Sequence, residues 1–165
     1  MKKRWRSILL VLVILVVICS FIHPFGNVKA VSSDRPLLQG LNIPPDVSSA
    51  IRKSCADCHT EQTVWPMYSY VAPMSWLVES DVAGGRSHLN MSHWETLSSD
   101  DRQQELSRVA SMVRNRKMPL SQYLLIHRDA KLSDTEVDAI YNWARAERKR
   151  LSATDNPAAP APPTK

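Results

Sequence analysis

Cys55-Ala56-Asp57-Cys58-His59 is the densest cluster of reactive side chains in this chain of 165 residues. Two thiols three residues apart, followed at once by an imidazole, match the attachment motif of c-type haem. In that chemistry each thiol forms a thioether with a haem vinyl group, and the adjoining imidazole faces the iron as proximal ligand. One helical turn between the thiols puts both on the same side of the ring. The motif therefore implies one covalent haem c, held by Cys55 and Cys58, with His59 on the iron.

Other uses of the same residues fit less well. A thioredoxin-like thiol pair needs a strand–helix–strand setting, and no such pattern surrounds residues 55–59. A zinc-binding module could combine Cys55 and Cys58 with His88 and His93, since both half-spacings suit the metal. The 29 residues between Cys58 and His88 exceed finger spacing, and zinc gives no reason for His59.

His59 leaves one axial position on the iron. Met118-Pro119 is the leading candidate, because the ring of Pro119 stiffens the segment that would present a weak thioether ligand. Small c-type cytochromes place a Met-Pro ligand loop before the C-terminal helix, and the order here is similar. Methionine ligation would raise the reduction potential. His88, His93 and His127 are rivals for the position. Around the haem, Arg86 and Arg114 could pair with propionates. Trp65, Trp76, Trp94 and Tyr68 could wall the pocket. A carbonyl near Pro66 or Pro73 could accept the second ring N–H of His59.

The net charge of +5 is not a nucleic-acid signature. Lys2, Lys3, Arg4, Arg6 and Lys29 lie within the first 30 residues, and beyond them 16 basic residues face 16 acidic ones. No nucleic-acid partner is expected. Ser7 to Phe25 is a run of 19 residues without formal charge. As a helix it would rise about 28 Å, near the thickness of a bilayer core. With the cations held inside, the expectation is a single-pass anchor in the cytoplasmic membrane and a domain on the periplasmic side. Cleavage of the same segment as a signal sequence, near Val28-Lys29-Ala30, is the alternative. Either fate suits the motif, since haem attachment would consume two thiols that would otherwise tend to oxidise there.

Four regions follow: residues 1–30 as anchor or signal, 31–45 as a Pro-containing tether, 46–151 as the haem-binding domain, and 152–165 as a disordered Pro/Ala tail. Periodicity in the domain is helical. Asp46 can cap a helix with Val47, Ala50, Ile51 and Ser54 on one face. Pro73 can open a second helix through Trp76, Leu77 and Val82, ending near Gly84-Gly85. A third starts at Ser98 or Ser99 and carries Leu106, Val109, Ala110 and Val113. Ser133-Asp134-Thr135-Glu136 is a capping box for a last helix with Val137, Ile140, Tyr141 and Ala144 facing inward. The fold class is all-α: a small cytochrome c-like haem domain with long loops, preceded by one transmembrane helix.

From Pro45 onward the chain resembles the bacterial haem-binding domain family of membrane-anchored, c-type-cytochrome-like proteins. The matching stretches include Ser54-Cys55-x-Asp57-Cys58-His59, Thr63-x-Trp65-Pro66-x-Tyr68, Ala72-Pro73-x-Ser75-Trp76 and Gly85-Arg86. Leu89-Asn90, Ser92-x-Trp94, Met118-Pro119, Tyr123, His127 and Ala130-Lys131-Leu132-Ser133 continue the order. Met91 stands where an aromatic residue is more usual. The resemblance implies haem binding in a mono-haem domain and no particular substrate. The functional expectation is one-electron transfer between extracytoplasmic redox proteins, with no enzymatic activity. A haem-based gas or redox sensor with an open iron position is the alternative, and a haem peroxidase ranks below it.

Overall fold

The computed structural model describes residues 2–155. These residues form helices α1 (Lys2–Ser20), α2 (Pro45–Ser54), α3 (Ala56–His59), α4 (Met74–His88), α5 (Ser99–Arg114), α6 (Ser121–Ile126) and α7 (Asp134–Asp155). Short 3-10 segments lie at Val28–Ala30, Met67–Tyr70, Met91–Thr96, which is kinked at His93, and Arg128–Ala130. No strand occurs among the described residues, so the expected all-helical character holds.

The expected transmembrane helix does not. No helix among the described residues is long and apolar enough to cross a membrane. Helix α1 begins inside the cationic cluster and ends at Ser20, which leaves 14 uncharged helical residues from Ser7. They rise about 21 Å, well short of a hydrocarbon core of about 30 Å. The remaining apolar residues of the run, Phe21, Ile22 and Phe25, fall beyond the helix, where the chain turns. The single-pass placement in the cytoplasmic membrane, with a periplasmic domain, is corrected on the same ground.

The chain divides into two compact units, and the division falls inside the Cys55–His59 stretch. The first comprises Met1–Asp34 and Asp57–Asn90, and the second Arg35–Ala56 and Met91–Lys165.

In the first unit α4 is the organising element. Pro73 precedes its first residue, as a proline at a helix start should. The turns at Val28–Ala30 and Met67–Tyr70 pack on it. The helix runs through Gly84-Gly85 to His88 rather than ending there. Gly85 meets a steric demand instead of a turn: a Cβ at this position would collide with the carbonyl oxygen of Cys58 and lie 2.9 Å from its carbonyl carbon.

In the second unit α5 and α7 form the main pair, with α2 against α7. Helix α2 has Pro44 at its cap and Asp46 in its first turn, so Asp46 favours the positive helix end without capping it. Its buried residues are Val47, Ala50, Ile51 and Ser54, one stripe at helical spacing. The Ser98 hydroxyl accepts from the Asp101 amide at 3.1 Å and caps α5. The capping box at α7 is formed in both directions: Glu136 N–H donates to Ser133 Oγ, and Ser133 N–H to Glu136 Oε2. Helix α7 buries Val137, Ile140 and Ala144, and also Trp143, Glu147 and Leu151. It continues through residues 152–155, and the rest of the expected tail lies outside the described residues. The stretch read as a tether buries Leu37 and Leu38, and Asn42 O accepts from the Trp143 indole at 3.0 Å.

Candidate functional site

The attachment motif sits where α2 ends and α3 begins. Cys55 closes α2 with a backbone N–H bond to Ile51 O, and Cys58 and His59 lie on the single turn of α3. No disulfide joins the two cysteines, and both are half-buried thiols. Burial, reinforced by the carboxylates of Asp81 and Asp57 and opposed by Arg86, pushes the Cys58 thiol up to about 12. At neutral pH Cys58 is therefore a neutral thiol. Its thiolate fraction lies below that of an ordinary cysteine, which slows thiol–disulfide exchange.

His59 is half-buried, and its Nδ1 lies 2.9 Å from Leu89 O. A carbonyl can only accept, so Nδ1 carries a hydrogen, and in the neutral ring that leaves the lone pair on Nε2. The expected backbone acceptor for His59 exists, but it is Leu89, at the end of α4, and not a carbonyl near Pro66 or Pro73. Helix α4 thus touches the motif twice, through Gly85 at Cys58 and through Leu89 at His59.

Arg86, one residue beyond Gly85, fixes the segment that follows the motif. Its Nε donates to Thr60 O at 2.8 Å, one terminal nitrogen to Thr63 Oγ1 at 3.0 Å, and the other to Val28 O at 2.9 Å. Thr63 Oγ1 in turn donates to Asp57 O, and Asp57 Oδ1 accepts from the Val64 amide at 3.1 Å. The loop after His59 is pinned at both ends. Trp65 offers its ring to the Lys29 ammonium, 5.3 Å from the centroid.

The remaining candidates are distributed as follows. Met118 is half-buried between α5 and α6 in the second unit, joined to Pro119 by a cis peptide bond. Tyr123 and His127 stack at 4.1 Å across α6, an element the sequence reading did not foresee. Arg114, at the end of α5, pairs with Asp138 and lies over the Tyr141 ring. His88 is exposed, and His93 accepts from Arg35 at 2.8 Å. Trp94 is buried, and its indole N–H has no acceptor in the structure. Among the described residues no group of three or more His, Cys, Asp or Glu side chains could hold a metal ion, so the zinc set of Cys55, Cys58, His88 and His93 is not met.

The donor set fits a haem. The imidazole holds a carbonyl through Nδ1, two thiols stand three residues apart in sequence, and the Cys58 turn lies flush on a helix that has no side chain at the point of contact. The residue that sequence reasoning missed is Leu89, which acts through its backbone and therefore leaves no side-chain signal.

Comparison with known proteins agrees. Cytochrome c peroxidase Ccp of Escherichia coli (strain K12) is 26% identical over 109 residues, which cover 64% of this chain and 23% of that protein. The chain thus spans less than a quarter of that relative's length. No solved structure matches. A family model described as a haem-binding domain matches residues 13–146, most of the chain. This chain belongs to the haem-binding domain family.

Proposed function

We propose that the chain carries one covalent haem c and passes single electrons between redox protein partners. The observation that carries this reading is the hydrogen bond of His59 Nδ1 to Leu89 O, which in the neutral ring makes Nε2 the ligand nitrogen of the Cys-x-x-Cys-His motif. Bound there, a haem supplies an iron that cycles between Fe(III) and Fe(II).

The chain's own residues hold and orient. Cys55 and Cys58 anchor through sulfur. Leu89 O fixes the imidazole tautomer and raises the basicity of Nε2. Arg86 keeps the loop after His59 in place. Met118, stiffened by Pro119, would supply a thioether sulfur as a further ligand to a bound iron.

The test is the intact mass of the denatured protein after production with a c-type haem maturation system. One haem retained is the expected result. Loss of all haem, where a control cytochrome matures, overturns covalent attachment. Peroxide turnover is a second reading, favoured by the likeness to the Escherichia coli peroxidase. Turnover no faster than that of a haem peptide dismisses it.

A further inference from the structure

Residues 20–31 do not hang loose from the first unit. The Ala72 amide donates to Ser20 Oγ at 3.0 Å, and the Trp76 indole N–H to Ile22 O at 2.9 Å. His23 Nδ1 lies 2.9 Å from Glu79 Oε1. Lys29 Nζ donates to the same oxygen at 2.7 Å and to Ser69 O at 2.6 Å. Its ammonium also stands over two aromatic rings, 5.3 Å from Trp65 and 5.0 Å from Tyr70. Glu79 is fully buried in the middle of α4, and its Oε2 has no partner.

A buried carboxylate without its cation is strongly destabilising, so Glu79 needs this segment in place. The segment is also joined to the motif. The guanidinium of Arg86 that holds Val28 O also holds Thr60 O and Thr63 Oγ1. Glu79, Gly85, Arg86 and Leu89 follow one another along a single helix and its end. One helix thus carries the strap along its length, from Trp76 to Arg86, and the His59 contact at its end. The family match begins at residue 13, so it includes the strap.

We infer that residues 20–31 are a strap that positions the His59 turn, locked by Lys29 on Glu79 and bridged to the motif by Arg86. Lys29, Glu79 and Arg86 are its positioning residues. This rests on the haem reading above. The segment therefore belongs to the working domain, and processing between Val28 and Val31 would unlock it.

The test uses the full-length, haem-loaded chain and the variants Lys29→Met, Lys29→Arg, Glu79→Gln and the double Lys29→Met/Glu79→Gln. Lys29→Met removes the ammonium and leaves Glu79 with His23 alone, a loss of positive charge that favours Fe(III), so its reduction potential falls below wild type. Glu79→Gln raises it, Lys29→Arg stays close to wild type, and the double variant returns toward it. Potentials and absorption spectra equal to wild type in all four overturn the inference. Should Lys29→Met not fold, lysine acylation of the wild-type chain decides. Lys29 should react several-fold more slowly than exposed Lys117, and equal rates overturn the strap. Acylation needs no haem, and haem retention is read separately by mass. Failure of the strap and failure of the haem reading are therefore distinguishable.

Discussion

Nδ1 of His59 and the carbonyl oxygen of Leu89 are 2.9 Å apart, although 30 residues separate them in the chain. The contact sets the tautomer before any metal arrives. Nitrogen-15 NMR of the haem-less protein should show His59 protonated at Nδ1 and bare at Nε2, with little of the other tautomer. A mixture typical of solvated imidazole contradicts the assignment.

Cys58 should be sluggish as a nucleophile. With its thiol pushed from 9.0 to about 12, it holds about 1,000-fold less thiolate at pH 8 than an ordinary cysteine. Iodoacetamide labelling of the folded haem-less chain should modify Cys58 far more slowly than the urea-unfolded chain. The same shift has a pH arm. The folded pKa lies above the unfolded one, so the stabilisation is complete below pH 9 and is lost as pH rises toward 12. Urea midpoints should fall over that window in the haem-less chain. A thioether does not titrate, so the haem-loaded protein should lack the Cys58 contribution.

Two adjacent glycines should behave in opposite ways. Gly85→Ala drives a methyl group into the Cys58 backbone and should cost about 1–3 kcal/mol or more, lowering Tm and haem loading. Gly84 has nothing within 4 Å of its would-be Cβ. Gly84→Ala should therefore be tolerated, and helix propensity favours it by about 0.5–1 kcal/mol. Equal Tm values for the two variants would remove the steric argument.

Met118→Ala tests the second axial position. Loss of a thioether ligand should lower the potential and let the reduced protein bind carbon monoxide rapidly. Unchanged spectra and unchanged carbon monoxide kinetics would remove Met118 from the iron.

Legibility in the sequence followed the physics of each element. Helix caps and buried stripes are local, so Ser98, the Ser133–Glu136 box and the Val47–Ser54 face could be read directly. Gly84-Gly85 misled, because the sequence does not show whether a glycine serves a left-handed turn or a close contact. The run from Ser7 misled for a similar reason: absence of charge does not carry a helix past Ser20. Lys29 read as a topology signal, yet it satisfies a buried carboxylate 50 residues away. The Leu89 acceptor and the Lys29–Glu79 pair both depend on tertiary placement, which no local pattern encodes.

Two of the contacts between helix α4 and the Cys58 turn fall on that turn's main chain: the Cys58 carbonyl against Gly85, and Thr60 O on Arg86. A grip of this kind is blind to side-chain identity and strict about chain length. The spacer at Ala56 and the exposed positions Gln62 and Val64 can drift through evolution without disturbing it. A single inserted or deleted residue between His59 and Thr63 would throw the carbonyls out of phase with α4, and lineages of this domain should vary there in letters and never in count.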